Sequence, residues 1–115
     1  MPSTYLDSSV ISYLTARPSR DIISLAHQQI TAEWWNRYGT AFDLYVSELV
    51  LFEIGRGDPT AAQSRLDVVR NLPVLKINTE ARSLADQMFR ATTLPDKAGA
   101  DALHLAVAAV NGMDF

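Results

Sequence analysis

The chain has 115 residues, 48% hydrophobic and 20% charged, enough apolar material for one domain with one core and unlike a disordered or fibrous composition. It has no cysteine, which excludes disulfide frameworks and thiolate metal sites. Eight Arg and two Lys face thirteen acids for a net charge of −3, which weighs against tight metal-free binding to polyphosphate but leaves room for a site whose metal ions supply the positive charge.

Residues 4–6 read as a short strand, left through the turn Asp7-Ser8-Ser9, where Ser8 or Ser9 is suited to cap a short helix over 10–14. Ala16-Arg17-Pro18-Ser19 is a break. A second helix starts at Ser19 or Asp21 and runs to about Arg37, with Ile22, Ile23, Leu25, Ala26 and Ile30 as an apolar stripe extended by Trp34. Residues 42–46 read as a second strand. Ser47 caps a helix from Glu48 to about Arg56, stopped by Gly55 and Gly57. Asp58-Pro59-Thr60 opens a helix to about Asn71, and residues 73–77 form a third short strand. Asn78 or Thr79 caps a helix to about Thr92. Residues 94–97 are a loop, and the last helix runs from about Ala98 to Asn111. Gly112-Met113-Asp114-Phe115 reads as a helix stop entering a further strand.

Helices alternating with short β segments predict an α/β domain with a parallel sheet. No run of about 18 apolar residues predicts a membrane span. The N-terminus shows no basic region followed by a long apolar one, so no secretory signal is expected. A cytoplasmic location is the expectation.

Three carboxylates lie beside apolar segments, where a charge is costly unless paired, hydrogen-bonded or metal-bound. Asp7 follows the first strand at its carboxyl end, the edge where open parallel sheets bind ligands; it is equally suited to cap the next helix. Glu53 sits among Leu49, Val50, Phe52 and Ile54 on a helix with a narrow polar face, where it is either a site residue or a solvated acid. Asp101 heads an almost wholly apolar helix, where the helix dipole alone favours an acid. Asp96 reads as a turn residue. His104, three residues beyond Asp101, is either a base or ligand or a satisfied core histidine. Trp34-Trp35 suits base stacking or a half-buried helix pair. Arg56, Arg65 and Arg70 suit phosphate or an ordinary surface. Asp7, Glu53 and Asp101 are 46 and 48 residues apart and come from separate elements. Together they make an oxygen-only set that suits Mg²⁺ or Mn²⁺ rather than Zn²⁺.

These segments resemble the PIN domain, in particular the VapC-type ribonuclease toxins of prokaryotic toxin–antitoxin pairs. Tyr5-Leu6-Asp7-Ser8-Ser9-Val10-Ile11 is similar to the family's first strand and metal-binding Asp. The stretch from Ser47 to Ile54 resembles the segment with its helical Glu, and that from Asp101 to Ala109 the segment with its next Asp. The resemblance implies a single three-layer α/β/α domain over residues 1–115. It also implies catalytic metal ligands at Asp7, Glu53 and Asp101, support from the Ser9 hydroxyl, and a Mg²⁺ or Mn²⁺ cofactor. The implied reaction is endonucleolytic RNA hydrolysis by metal-activated water. The implied partners are an RNA substrate, a cognate antitoxin and a second copy in a homodimer, with no membrane. The family normally continues past Gly112-Met113-Asp114-Phe115 into a strand and a loop with a fourth polar or acidic site residue. On the resemblance the domain is therefore short at its C-terminal end, and a catalytically impaired module that still binds an antitoxin or dimerises is the alternative. An aspartyl-phosphate enzyme of the haloacid dehalogenase kind is a further reading, but it calls for an Asp two positions after Asp7, where this chain has Ser9.

Overall fold

The computed structural model describes residues 1–91 and 99–115. The predicted loop at 94–97 with Asp96, the helix end near Thr92 and the helix start at Ala98 lie outside the described residues. The elements are β1 (Ser3–Tyr5), α1 (Ser8–Thr15), α2 (Ile22–Tyr38), β2 (Asp43–Ser47), α3 (Glu48–Ile54), α4 (Pro59–Val69), β3 (Val74–Leu75), α5 (Thr79–Ala91) and α6 (Gly99–Val110). The sheet is three-stranded and wholly parallel, in the order β1-β2-β3. Thr4 lies opposite Leu44, and Val46 opposite Val74. Helices flank it, because parallel neighbours need crossover connections that bury the faces. This is the predicted α/β class.

Local chemistry sets the boundaries. Asp7, not Ser8 or Ser9, is the N-cap of α1, its carboxylate accepting from the Ser9 and Val10 amides. Asp21 caps α2 and Ser47 caps α3, as read from the sequence. Asp58 caps α4, with Pro59 at its first position, and Asn78 Oδ1 accepts from the Ala81 amide at the start of α5. Gly57, at φ +86°, turns the chain between α3 and α4 through a left-handed conformation that a Cβ would strain.

The main core joins Leu6, Ile11, Val46, Val50, Ile54 and Val69, with Trp34 and Trp35 packed against it. Trp34 also stacks on Phe42 at 5.8 Å between ring centroids. The tryptophans therefore belong to packing, not to an open stacking platform. A second cluster joins α5 to α6 through Ala85, Ala102 and Ala106. These small side chains let the two helices approach closely, and Ala102 and Ala106 share one face of α6. The predicted stripe of α2 is only partly a core face. Leu25 and Trp34 are half-buried, but Ile22, Ile23 and Ile30 are 82%, 69% and 65% exposed.

After α6 the chain returns to β1. The Tyr5 amide donates to the Phe115 carbonyl, and the Asp114 and Phe115 amides donate to the Ser3 carbonyl. Asp114 Oδ2 accepts from the Ser3 amide at 2.9 Å and from its hydroxyl at 3.1 Å, which holds the Asp114 carboxyl below its usual range. The last residues thus lie along the free edge of β1, where the sequence places the entry to a strand. No described helix is long and apolar enough to cross a membrane.

The packing separates two isoleucines of similar sequence context. Ile54→Ala, at 1% exposure, is expected to lower unfolding free energy by ~2–5 kcal/mol in urea titration, through lost burial and a cavity. Ile23→Ala is expected to stay within ~0.5 kcal/mol of wild type. Equal losses would show that the α2 stripe packs.

Candidate functional site

β1 and β2 run in parallel, so their carboxyl ends share one edge of the sheet. Asp7 follows β1 there, and Ser47 ends β2 and leads straight into α3, which carries Glu53. Tyr5 stands two residues before Asp7, on the same side of an extended chain. α6 brings His104 to this edge, on the face opposite Ala102 and Ala106.

The four groups form one hydrogen-bonded line. Tyr5 Oη lies 2.8 Å from Ser47 Oγ and 2.6 Å from His104 Nδ1. His104 Nε2 lies 2.7 Å from Glu53 Oε1. Ser47 is fully buried and His104 nearly so, and the Glu53 side chain is 25% exposed at the outer end of the line. A cleft of about 360 Å³ opens beside it, lined by Tyr5, Asp7, Val10, His104, Leu105 and Phe115 among others. Burial pushes the Tyr5 phenol up to about 12; the Ser47 hydrogen bond opposes this, and the Glu53 and Asp7 charges add to it.

The predicted site residues separate into two groups. The charges of Asp7 and Glu53 both act on the Tyr5 phenol. Asp7 Oδ1 is engaged at 3.1 Å by the Ser9 amide and at 3.4 Å by the Val10 amide. The link from Ser9 to Asp7 thus runs through its backbone N–H. Asp101 is in the first turn of α6, one turn before His104, and exposed; of the three acids only Asp7 lines the cleft, and Glu53 is joined to it through His104. Among the described residues, no three His, Asp or Glu side chains gather closely enough to hold a metal together. Two carboxylates do remain, and neither Asp7 Oδ2 nor Glu53 Oε2 carries a hydrogen bond among the described residues. Mg²⁺ keeps several waters and is commonly held by one or two carboxylates, so this hard-oxygen pair fits such an ion.

Of the arginines, Arg65 is structural. Its Nε donates to the Ile54 carbonyl at 2.8 Å and a terminal nitrogen to the Arg56 carbonyl at 2.7 Å, closing the end of α3. Arg70 pairs with Asp67. Arg56 lies 5.4 Å over the exposed Phe52 ring.

Sequence reasoning missed Tyr5 and Ser47 as site residues. Tyr5 carried a signal in its two-residue spacing from Asp7. Ser47 carried none beyond its role as a cap.

A family profile for the PIN domain matches residues 4–115. No curated protein and no solved structure gives a significant match to the chain.

A tyrosine whose folded pKa of about 12 exceeds the ordinary value near 10 binds its proton more tightly when folded. Its stability contribution is therefore complete below about pH 10 and is lost as pH rises towards 12. Phenolate absorbance is expected to show one of the four tyrosines ionising last, together with alkaline loss of stability. Tyr5→Phe is expected to remove that late component; its persistence would assign it elsewhere.

Proposed function

The chain belongs to the PIN domain family, a family of nucleases, and from that premise we propose that it is a metal-dependent endoribonuclease, the toxin of a VapC-type toxin–antitoxin pair. One observation carries the reading. Two carboxylates from distant parts of the chain, Asp7 and Glu53, lie at the carboxyl edge of a parallel sheet and act on the same phenol, each with one oxygen engaged and, among the described residues, one without a hydrogen bond.

Asp7 and Glu53 would hold the divalent cation, with Asp101 as the third acid of the proposed site. When bound, such an ion activates water and offsets charge on a phosphodiester. The residues of the chain do the rest. The Ser9 and Val10 amides fix one oxygen of Asp7, and His104 fixes one oxygen of Glu53, so neither carboxylate swings freely. The apolar walls at Val10, Leu105 and Ala108 limit water on one side of the cleft. With a net charge of −3, the affinity for RNA must come from the cation and from local basic groups such as Arg56. The same acidic opening suits basic side chains of an antitoxin segment, and a homodimer is part of the proposal.

The purified chain is expected to cleave RNA with Mg²⁺ or Mn²⁺ and to stop when a chelator is added. Asp7→Asn keeps a residue that caps as well as Asp, so α1 is retained. Cleavage is nonetheless expected to fall by more than about 100-fold, beyond the ~10–100-fold typical of losing an outer-shell partner. Cleavage by this variant at the wild-type rate would refute the assignment. Metal-independent antitoxin binding with no RNA cleavage would favour a non-catalytic module.

A further inference from the structure

The line from Ser47 to Glu53 has a direction. At one end the Val50 amide donates to Ser47 Oγ as part of the α3 cap. At the other end a carboxylate can only accept, so His104 Nε2 must donate to Glu53 Oε1. A neutral imidazole has one N–H. With it on Nε2, Nδ1 is an acceptor and the Tyr5 hydroxyl donates to it across 2.6 Å. Tyr5 Oη then accepts from the Ser47 hydroxyl at 2.8 Å. Each hydrogen bond of the line then has one donor and one acceptor. The opposite tautomer would set the Nε2 lone pair against the carboxylate.

Here both ring nitrogens are used, and the donating one is spent on the more exposed end of the line, with side-chain exposures of 11% for His104 and 25% for Glu53. We propose that His104 is a positioning residue: it pins Glu53 Oε1 and so leaves Oε2 for a divalent cation beside Asp7, while the Tyr5 hydroxyl, itself bonded to Ser47, holds the ring by its other nitrogen. Hydrogen bonding of a ligating carboxylate by an outer-shell group is a recurring way to fix its orientation. The proposal rests on the metal-dependent reading of the site, and its test separates the two.

The first measurement needs no metal. Long-range ¹H–¹⁵N spectra of the full chain resolve its two histidines, His27 and His104. His104 is expected to carry a proton on Nε2 in the wild type and also in Tyr5→Phe, where Glu53 still accepts from it and only the Nδ1 signal changes. A wild-type ring with no proton on Nε2 would overturn the hydrogen bond to Glu53 on which the positioning role rests. The second measurement is calorimetric titration with Mn²⁺. His104→Leu is expected to bind at least ~10-fold more weakly than wild type, and His104→Gln, whose amide can donate to Glu53, to recover most of that loss. Tyr5→Phe keeps the imidazole and its packing, and is expected to weaken Mn²⁺ binding with its secondary structure unchanged. Wild-type affinity in a folded His104→Leu or in Tyr5→Phe would overturn the positioning role. A wild-type chain that binds no Mn²⁺ would instead overturn the metal-dependent reading beneath it.

Discussion

Four side chains joined end to end hold this molecule's parts in register. The apolar packing falls into two clusters, one around the sheet with α1, α3 and α4, the other between α5 and α6. The line Ser47–Tyr5–His104–Glu53 crosses between them, linking β2, β1, α6 and α3. A buried polar group left without its partner costs about 1–3 kcal/mol, so shifting α6 against the sheet strands several groups at once. Dispersion and burial set how tightly the helices pack; the line sets where α6 stops, and with it where His104 meets Glu53.

The same constraint shapes the chemistry at the sheet edge. Two carboxylates brought together repel unless something offsets their charge. Here each has one oxygen tied to protein donors: backbone amides for Asp7 and an imidazole for Glu53. Among the described residues the other oxygen of each is unengaged, and both charges act on a phenol that burial holds protonated. Carboxylate oxygens are the donors a hard divalent cation prefers.

Much of the fold was legible because capping residues and apolar runs are local signals. Asp21, Ser47 and Asp58 announced three helix starts, and the alternation of short β segments with helices announced the parallel sheet. The sequence misled at α2, where Ile22, Ile23 and Ile30 have helical spacing but face outward; periodicity reports which residues share a face, not what covers it. At the site, Asp7 stood out by following a strand, and it proved to be both cap and cleft residue. His104 seemed as suited to filling as to function, because its partners lie 99 and 51 residues away. Ser47 was hidden for the same reason, since hydrogen bonds between distant elements leave no spacing to read, whereas Tyr5 stood two residues before Asp7. Asp101 looked equivalent to the other acids in sequence, yet it is exposed at the head of α6, whereas Asp7 lines the cleft and Glu53 is joined to it through His104.

The central claim is that Asp7 and Glu53 are the paired oxygens of a cation site organised by His104. Crystals of the full chain grown with Mn²⁺, with data recorded near the manganese absorption edge, test it most directly. The account predicts an anomalous peak in the cleft, coordinated by one oxygen of Asp7 and by the Glu53 oxygen that His104 leaves free. A cleft without such a peak at saturating Mn²⁺, or an ion that has drawn Glu53 away from His104, would contradict it.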